Sequence, residues 1–491
     1  MKPQKCLLGL FLLLCTVLTL HAQPVLAPKY VNLEKNASAA VKSELTKLRT
    51  QIATQKYTFV VGATKVANLK LARITGEKDL TSTDISNIKQ LSLKYSKLNQ
   101  FQDLELKYNP LNQGLSGCTA SLSKFDLRTK NVVTPVRDQG GCGSCWAFGT
   151  MAAYETSWLL INGGTPGSLD VSEQHVLSCS NGGDCDGGFS YKVFEWMVNG
   201  EKNVNTEAGL TYSGTNGTCA TGNPATAHYA YRWGVVSPSG DVSAVATTSQ
   251  IKQAICKHGA ITASVFVTSA FQLYAGGVFN ENIGGDVRTN HVIAIVGWDD
   301  TKQAWLIKNS WGADWGESGY MWIKYGCNFI GRRAFWVEAN KLEDCLYFNP
   351  DNIAVQAASG GQYRIVDGSH SMFSFPNQAE ANAALNIIKN YKLNKSCFVG
   401  RPGPSLEYML KGTAAPAGST GGEDCTSFNP GTIKVQKASG NWKIVDGSSW
   451  LFDFGSSEKE ARLAFNLIKK YSFNRTCYVG RPDASLSYLR K

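Results

Sequence analysis

The stretch Gln139-Gly140-Gly141-Cys142-Gly143-Ser144-Cys145-Trp146-Ala147-Phe148 is the most informative part of this chain. Small glycines lead up to Cys145, and a run with the composition of a helix follows it. This order places the cysteine at the start of a helix, where the helix dipole favours a thiolate. A thiol becomes a strong nucleophile when its surroundings lower its pKa. The stretch therefore predicts that Cys145 is a nucleophile.

Two later segments supply the partners that a nucleophilic cysteine needs. His291 opens an apolar, β-branched strand 146 residues after Cys145, and Asn309 ends a second apolar strand. The Asn309 amide can accept a hydrogen bond from one imidazole nitrogen and leave the other facing Cys145. The indole of Trp311 would shield that hydrogen bond from water. These segments predict a Cys–His pair oriented by an asparagine.

The region from about Leu122 to Val337 resembles the papain family of cysteine peptidases. The resemblance rests on the run around Cys145, the segments around His291 and Asn309, and further matching stretches. These stretches are Ser123-Lys124-Phe125-Asp126-Leu127-Arg128, Val133-Thr134-Pro135-Val136-Arg137-Asp138-Gln139-Gly140, Leu169-Asp170-Val171-Ser172-Glu173-Gln174, Cys185-Asp186-Gly187-Gly188-Phe189 and Trp311-Gly312-Ala313-Asp314-Trp315-Gly316-Glu317-Ser318-Gly319-Tyr320. The resemblance implies a two-lobed α+β fold, with Cys145 on a helical lobe, His291 on a β-barrel-like lobe and the cleft between them.

The resemblance also implies the role of each site residue. The catalytic set is Gln139, Cys145, His291 and Asn309, with the Gln139 amide and the Cys145 backbone N–H stabilising the oxyanion. The substrate-binding set is Gly187, Gly188, Phe189, Ser190, Asn290 and Trp311. The two glycines would let the substrate backbone pair as an extended strand. No cofactor or metal ion is expected.

Phe189 and Ser190 are expected to form part of the pocket for the second residue before the scissile bond. Phe335 is a candidate for the base of this pocket. An aromatic wall favours an apolar or aromatic substrate side chain. No histidine-bearing insertion typical of exopeptidases follows the Cys185 region, so an endopeptidase is expected.

Two other classes of protein remain as alternatives. One is a binding protein on an inactive protease scaffold, which the intact set of four catalytic residues disfavours. The other is an acyltransferase or transglutaminase-type enzyme with the same Cys–His pair, which the chain order and the flanking motifs disfavour. Acceptor competition would separate the transferase from the peptidase.

The start of the chain has the features of a secretory signal peptide over residues 1–22. Lys2 and Lys5 precede an apolar run from Leu7 to Leu20, which is short for a membrane span. No later stretch is long and apolar enough to cross a bilayer. We therefore expect a protein that is secreted, or delivered to a lysosome-like or vacuole-like compartment in a eukaryotic host.

The net charge of +11 does not indicate a polyanion partner. The signal peptide contributes +2, and residues 23–117 contribute +7 from 14 Lys/Arg against 7 Asp/Glu. The remainder is close to neutral, and it holds no basic stripe or nucleic-acid-binding module. We expect a monomer whose partners are protein or peptide substrates, without nucleic acid.

Residues 23–117 are interpreted as a propeptide, because a secreted protease must be kept inactive. Residues 43–52 favour an amphipathic helix, 57–66 an extended segment, and a second helix starts near Ile85. The spaced Glu-Arg-Phe-Asn-Ile-Asn pattern of the best-known family propeptides is not found. The inhibitory role therefore rests on position, and the alternative is a small accessory domain.

The 14 cysteines fit an oxidising compartment. By resemblance, Cys142–Cys185 and Cys179–Cys219 are expected disulfides of the catalytic domain, which we assign to residues 118–340. The same region contains Cys118, Cys256 and Cys327, and the sequence leaves their pairing open.

The C-terminal part contains an internal repeat, which we assign to residues 341–411 and 424–491, joined by a flexible linker over 412–423. Cysteines 52 residues apart in each copy predict the disulfides Cys345–Cys397 and Cys425–Cys477. Each copy is predicted to be a small α+β module with a helix, spanning 378–391 in the first copy. Two such modules could bind a polymer or a cell surface with avidity. Candidate stacking residues are Tyr347, Tyr363, Trp442 and Trp450. The alternative is that they are stabilising spacers.

Overall fold

The structure is a computed structural model that describes residues 25–96, 115, 117–199, 202–219, 226, 228–285, 288–340, 344–400 and 404–491. The predicted signal peptide lies outside these residues. Within the described ranges, no helix has the length and apolar character needed to span a bilayer.

The first two thirds of the chain combine helices with one large sheet. The helices are α1 (Pro28–Lys35), α2 (Ala39–Gln55), α3 (Leu71–Ile74), α4 (Ser82–Ser96), α5 (Cys145–Asn162), α6 (Glu173–Cys179), α7 (Ser190–Val198), α8 (Thr248–His258) and α9 (Ser269–Gln272). The strands are β1 (Thr58–Val61), β2 (Lys124–Asp126), β3 (Gly183–Asp184), β4 (Gly187–Gly188), β5 (Ala230–Val235), β6 (Ile261–Val265), β7 (Tyr274–Phe279), β8 (His291–Asp299), β9 (Ala304–Lys308), β10 (Tyr320–Lys324) and β11 (Arg332–Ala339).

The large sheet forms the β lobe. Its order within the described residues is β1-β7-β10-β9-β8-β6-β11-β5, and β2 pairs with β8. Helix α5 is apolar on all sides and packs against β8, β6 and β11. This packing sets Cys145, at the start of α5, against β8, which begins at His291.

Residues 25–96, which we call the pro-segment, pack onto this sheet and the cleft. Helix α2 buries Val41, Leu45, Leu48 and Ile52 at helical spacing, as its amphipathic pattern predicts. Strand β1 pairs antiparallel with the edge strand β7, with Thr58 opposite Val278. The pro-segment therefore extends the sheet of the β lobe and shares its hydrophobic core.

The C-terminal repeats have the same order of elements. Repeat 1 contains β12 (Asp344–Tyr347), β13 (Ile353–Ala357), β14 (Tyr363–Asp367), β15 (His370–Phe375), α10 (Gln378–Tyr391), β16 (Lys395–Val399) and β17 (Leu406–Leu410). Repeat 2 contains β18 (Asp424–Ser427), β19 (Lys434–Ala438), β20 (Asn441–Asp446), β21 (Ser449–Asp453), α11 (Glu458–Tyr471), β22 (Arg475–Val479) and β23 (Leu486–Arg490). In each repeat, the first strand and the last two form one three-stranded sheet and the middle three strands form another.

The two repeats are interlocked. Helix α10 packs on its own sheet β13–β15 and also against β22 of repeat 2, and α11 contacts β16 of repeat 1 in the same way. One buried cluster joins Ile388 of repeat 1 to Val479 and Leu486 of repeat 2. The other joins Ile468 of repeat 2 to Tyr408 of repeat 1. Each repeat thus completes the hydrophobic core of the other.

The segment 412–423, predicted to be a flexible linker, is anchored to both repeats. The Glu423 carboxylate accepts hydrogen bonds from the hydroxyls of Tyr391 in repeat 1 and Tyr488 in repeat 2. It also forms an ion pair of 3.4 Å with Arg490. The carbonyl oxygen of Pro416 accepts a hydrogen bond from the backbone N–H of Lys491.

The described residues form five disulfides, which include the four expected pairs. They are Cys118–Cys256, Cys142–Cys185, Cys179–Cys219, Cys345–Cys397 and Cys425–Cys477. In each repeat, the two cysteines lie opposite each other on paired antiparallel strands. Cys145 and Cys327 are buried free thiols in the described part of the chain. Of the three cysteines whose pairing the sequence left open, Cys118 and Cys256 thus form a disulfide and Cys327 is a free thiol.

Candidate active site

Cys145 lies at the first position of α5 and is fully buried. The first backbone N–H groups of a helix have no partner within the helix, so they point their partial positive charge at this end. The backbone N–H of Val292, in β8, donates to Cys145 Sγ at 3.5 Å. The structure thus brings the predicted nucleophile of the helical lobe onto the strand that carries the predicted base.

His291 and Asn309 meet as predicted. His291 Nε2 lies 2.8 Å from Asn309 Oδ1, and within the described residues Nδ1 has no hydrogen-bond partner. The Trp311 ring packs on the imidazole with 4.9 Å between ring centres, and both side chains are fully buried. The asparagine therefore fixes the ring orientation and leaves one imidazole nitrogen available.

Burial keeps both members of this pair uncharged in the present arrangement. It raises the pKa of the Cys145 thiol to about 12, although the backbone amides of Val292, Trp146 and Gly76 favour the thiolate. Burial also lowers the pKa of His291 to about 4, although the hydrogen bond to Asn309 favours the imidazolium. Opening of the cleft to water would therefore favour the charged forms of both groups.

Gln139 is fully buried beside the thiol, and its amide is held at both ends. Its Oε1 accepts a 2.6 Å hydrogen bond from the Ser310 hydroxyl, and its Nε2 donates at 2.8 Å to the carbonyl oxygen of Cys142. The same Nε2 donates at 3.2 Å to the carbonyl oxygen of Ile74 in the pro-segment. Trp311 Nε1 donates to that carbonyl at 3.0 Å. A pro-segment carbonyl therefore occupies the donor predicted to stabilise an oxyanion.

The next pro-segment residue to reach the cleft is Gly76, which contacts the predicted substrate-binding backbone. Its N–H donates to the Asn290 carbonyl oxygen at 3.0 Å, and its carbonyl accepts from the Gly188 N–H at 2.8 Å. A Cβ on Gly187 would lie 2.7 Å from the Gly76 carbonyl oxygen, so a side chain there would block the approach. Gly187 is thus needed for a backbone to enter the cleft, whereas a Cβ on Gly188 would meet the Gly182 carbonyl oxygen and the Trp146 ring.

Glu77 follows Gly76 and inserts its side chain into a pocket beside Gly188. Phe189, Ser190 and Phe335 line this pocket, as predicted, together with Tyr191, Ser264, Val292 and Arg333. The Ser264 hydroxyl donates to the Glu77 carboxylate, and Arg333 Nη1 lies 3.2 Å from it. Burial raises the pKa of Glu77, while Arg333 and Ser264 offset part of that rise.

The sequence analysis missed two features of this cleft. It did not identify residues 74–78 as the part of the pro-segment that enters it, and nothing in their composition marks them. It also gave no role to Arg333, although two adjacent arginines at the start of a largely apolar strand were a readable signal. The remaining predicted site residues lie together in the cleft.

The aromatic residues proposed for ligand stacking in the repeats differ in exposure. Tyr347 is buried, and Tyr363 and Trp442 are half-buried. Trp450 is 63% exposed, with Lys443 Nζ 5.1 Å from its ring centre. Of these four side chains, Trp450 is thus the one that offers an open aromatic face.

Comparison with known proteins agrees with this geometry. The sequence profile described as "Papain family cysteine protease" matches residues 122–337. Zingipain-1 from Zingiber officinale is 35% identical over 204 residues, which cover 41% of this chain and 86% of that protein. Cysteine proteinase 1 from Entamoeba histolytica is 35% identical over 205 residues, which cover 40% of this chain and 61% of that protein.

Two solved structures are similar to parts of this chain. The bromelain protease from Ananas comosus in complex with the E64 inhibitor has 31% sequence identity and a TM-score of 0.39, covering 44% of this chain and 99% of that one. Digestive procathepsin L 3 of Tenebrio molitor has 22% identity and a TM-score of 0.48, covering 64% of this chain and 94% of that one. From the sequence profile and the zingipain-1 match, together with a cysteine, a histidine and an asparagine that meet in one cleft, we conclude that this chain belongs to the papain family of cysteine proteases.

Proposed function

We propose that the chain is the zymogen of a secreted cysteine endopeptidase, with residues 23–117 as its inhibitory propeptide. The observation that carries the proposal is the path of the pro-segment through the cleft. The Ile74 carbonyl binds Gln139 and Trp311, and Gly76 binds Asn290 and Gly188. While the pro-segment is bound to these donors and acceptors, a substrate cannot bind to them.

The pro-segment occupies the immediate surroundings of the thiol. Near Cys145 it presents the backbone N–H of Gly76, which favours the thiolate. The nearby Ile74 carbonyl is directed to Gln139 and to the Trp311 indole. Nucleophilic attack on a substrate requires its carbonyl carbon within reach of the sulfur, and the pro-segment takes that place, so the occupied cleft is expected to be inactive.

The chemistry follows once the pro-segment leaves. His291 takes the Cys145 proton, and the thiolate attacks a peptide carbonyl to form a C–S bond. The Gln139 amide and the Cys145 backbone N–H stabilise the oxyanion, each contributing on the order of 3 kcal/mol in the transition state. His291 then protonates the leaving amine as the C–N bond breaks. Water hydrolyses the thioester, with His291 accepting its proton, which releases the acid and restores the thiol.

Secretion is supported by two features. The leader over residues 1–22 has the charge and apolar run of a signal peptide. Five disulfides in the described residues fit folding in an oxidising compartment. The Cys118–Cys256 bond would keep the start of the catalytic domain attached to α8 after cleavage on the amino side of Cys118.

The test compares wild type with Cys145→Ala as purified, reduced, acid-treated full-length proteins. Hydrolysis of fluorogenic peptides is measured while the chain size is followed by electrophoresis. We expect a shorter wild-type chain and hydrolysis that is absent in Cys145→Ala. A processed, folded wild type that cleaves none of a panel of peptides would contradict the proposal. Transfer to an added amine at the expense of hydrolysis would favour the transferase alternative.

A further inference from the structure

Arg333 lies at one wall of the pocket that receives Glu77, and the backbone there is unusual. The pairing of β11 with β6 shifts register between Arg332 and Phe335, which marks a bulge. Arg333 itself has φ of 46°, a left-handed conformation that a non-glycine side chain rarely adopts. Bulges redirect side chains and are common next to active sites. Here the result is a guanidinium group within an otherwise largely apolar pocket.

Within the described residues, the Arg333 guanidinium forms its ion pairs and its hydrogen bond with residues of the pro-segment. Nη1 lies 3.2 Å from Glu77 Oε1 and donates to the Lys78 carbonyl oxygen at 3.1 Å. Nη2 lies 3.5 Å from Asp79 Oδ1. The Arg333 side chain is only 8% exposed, and that of Glu77 only 6%. Removal of the pro-segment would therefore take these acceptors away and open the Arg333 side chain to the emptied pocket.

The neighbouring surface has the same sign of charge. Arg288, which is exposed, forms an ion pair of 2.8 Å with Asp79. Arg288, Arg332 and Arg333 line a second depression next to the first, together with Asp79 and Leu80 of the pro-segment. The pro-segment thus meets this basic end of the cleft with two carboxylates, at Glu77 and Asp79.

A guanidinium at the wall of the emptied pocket would then be available to a new acceptor. A ligand that brings a carboxylate to this pocket would again pair with the guanidinium, which can donate two parallel hydrogen bonds to a carboxylate. The Ser264 hydroxyl, which donates to Glu77, would supply a second donor. An uncharged side chain of the same length would offer a weaker acceptor.

We infer that the active protease selects substrates with an acidic residue, glutamate above all, at the second position before the scissile bond, and that Arg333 sets this preference. The inference rests on the proposed function, because it concerns the substrate of that same cleft. It revises the expectation from sequence of an apolar or aromatic residue there. Phe189 and Phe335 then contact the methylene groups of the glutamate, and Arg333 binds its carboxylate.

The experiment uses processed enzyme and a set of fluorogenic peptides that differ only at this position, with Glu, Gln, Leu or Phe. For wild type we expect kcat/KM for Glu to exceed that for Gln and for Leu by about tenfold or more. The comparison of Glu with Gln isolates the charge, and it needs no variant to fold.

Two variants then assign the preference to one side chain. Arg333→Met keeps the volume and removes the charge, so we expect the Glu/Leu ratio to fall to unity or below while Leu peptides are still cleaved. Arg332→Met is the matched control, because the neighbouring arginine does not line the Glu77 pocket. It should keep the wild-type ratio.

The outcomes test the inferred substrate preference separately from the proposed endopeptidase function. Wild-type preference for Leu or Phe over Glu would overturn the inference alone, since the enzyme would still be a Cys145-dependent peptidase. An unchanged Glu/Leu ratio in Arg333→Met would also overturn it. Absence of Cys145-dependent cleavage of every peptide would overturn the proposed function and the inference together.

Discussion

The pro-segment contacts the cleft through backbone hydrogen bonds and ion pairs, whereas the two repeats contact each other through interleaved apolar side chains. At the cleft, the partners of Gly76 and Ile74 are carbonyl, amide and indole groups that a substrate can also use. Between the repeats, Ile388 and Ile468 are fully buried in clusters that draw on both copies. The contact between pro-segment and cleft is therefore suited to release. In the contact between the repeats, neither copy has a complete hydrophobic core without the other.

The largest effect is expected between the repeats, from Ile388→Ala in α10. Truncating a fully buried isoleucine typically costs 2–5 kcal/mol. Because residues of both repeats share the cluster around Ile388, we expect backbone amides in both copies to lose protection together. Hydrogen exchange read by mass spectrometry on the full chain measures this, and Lys389→Ala, at an exposed neighbour, is the control. Loss of protection confined to repeat 1 would show that the copies fold independently.

The cleft offers the next largest effect, from Gln139→Ala in processed enzyme. The Gln139 amide is proposed to bind the oxyanion, so its loss should lower kcat about 10²–10³-fold with little change in KM. Gln174→Ala is a matched control, because this buried glutamine bonds Ser178 and Thr215 within the helical lobe. Steady-state kinetics on both variants provide the measurement. A Gln139→Ala enzyme with near wild-type kcat would remove Gln139 from the oxyanion site.

The smallest effect is expected from Gly76→Ala, which tests how easily the pro-segment is released from the cleft. A Cβ on Gly76 would overlap the carbonyl oxygen of Gly143, so Gly76→Ala must displace the pro-segment locally. Overpacking of this kind costs about 1–3 kcal/mol, which corresponds to roughly a 5- to 150-fold weaker closure. We expect the residual activity of the uncleaved chain to rise by that factor.

The control for Gly76→Ala is Gly167→Ala, whose added Cβ would meet open space. Activity is read before any processing is visible by electrophoresis. Equal residual activity in both variants would mean that the pro-segment does not need the close approach at Gly76 to block the cleft.

Local patterns predicted much of this molecule. Helix α10 has the predicted bounds 378–391, and Ala381, Ala384 and Ile388 are buried as its apolar spacing requires. The site residues Cys145, His291 and Asn309 could be assigned because each lies in a run with a recognisable motif. Both the helix spacing and the motifs are properties of neighbouring residues along the chain.

The features that the sequence did not reveal depend on long-range packing. The shared cores of the repeats need the partner's outer sheet to be in place, and an apolar helix face does not specify which sheet will cover it. Arg333 turns into the cleft because of a bulge in β11, which depends on pairing with β6. The pairing of Cys118 with Cys256 bridges 138 residues and has no local signature.

The central claim is that the pro-segment keeps Cys145 buried and protonated until it leaves. The most direct measurement is the rate of iodoacetamide alkylation of Cys145 between pH 5 and 8, before and after processing, with the modified residue located by mass spectrometry. Because burial raises the pKa of Cys145 to about 12, the uncleaved chain should react slowly across this range. The processed enzyme, with its thiolate–imidazolium pair, should react rapidly. Rapid alkylation of Cys145 in the uncleaved chain would contradict the account.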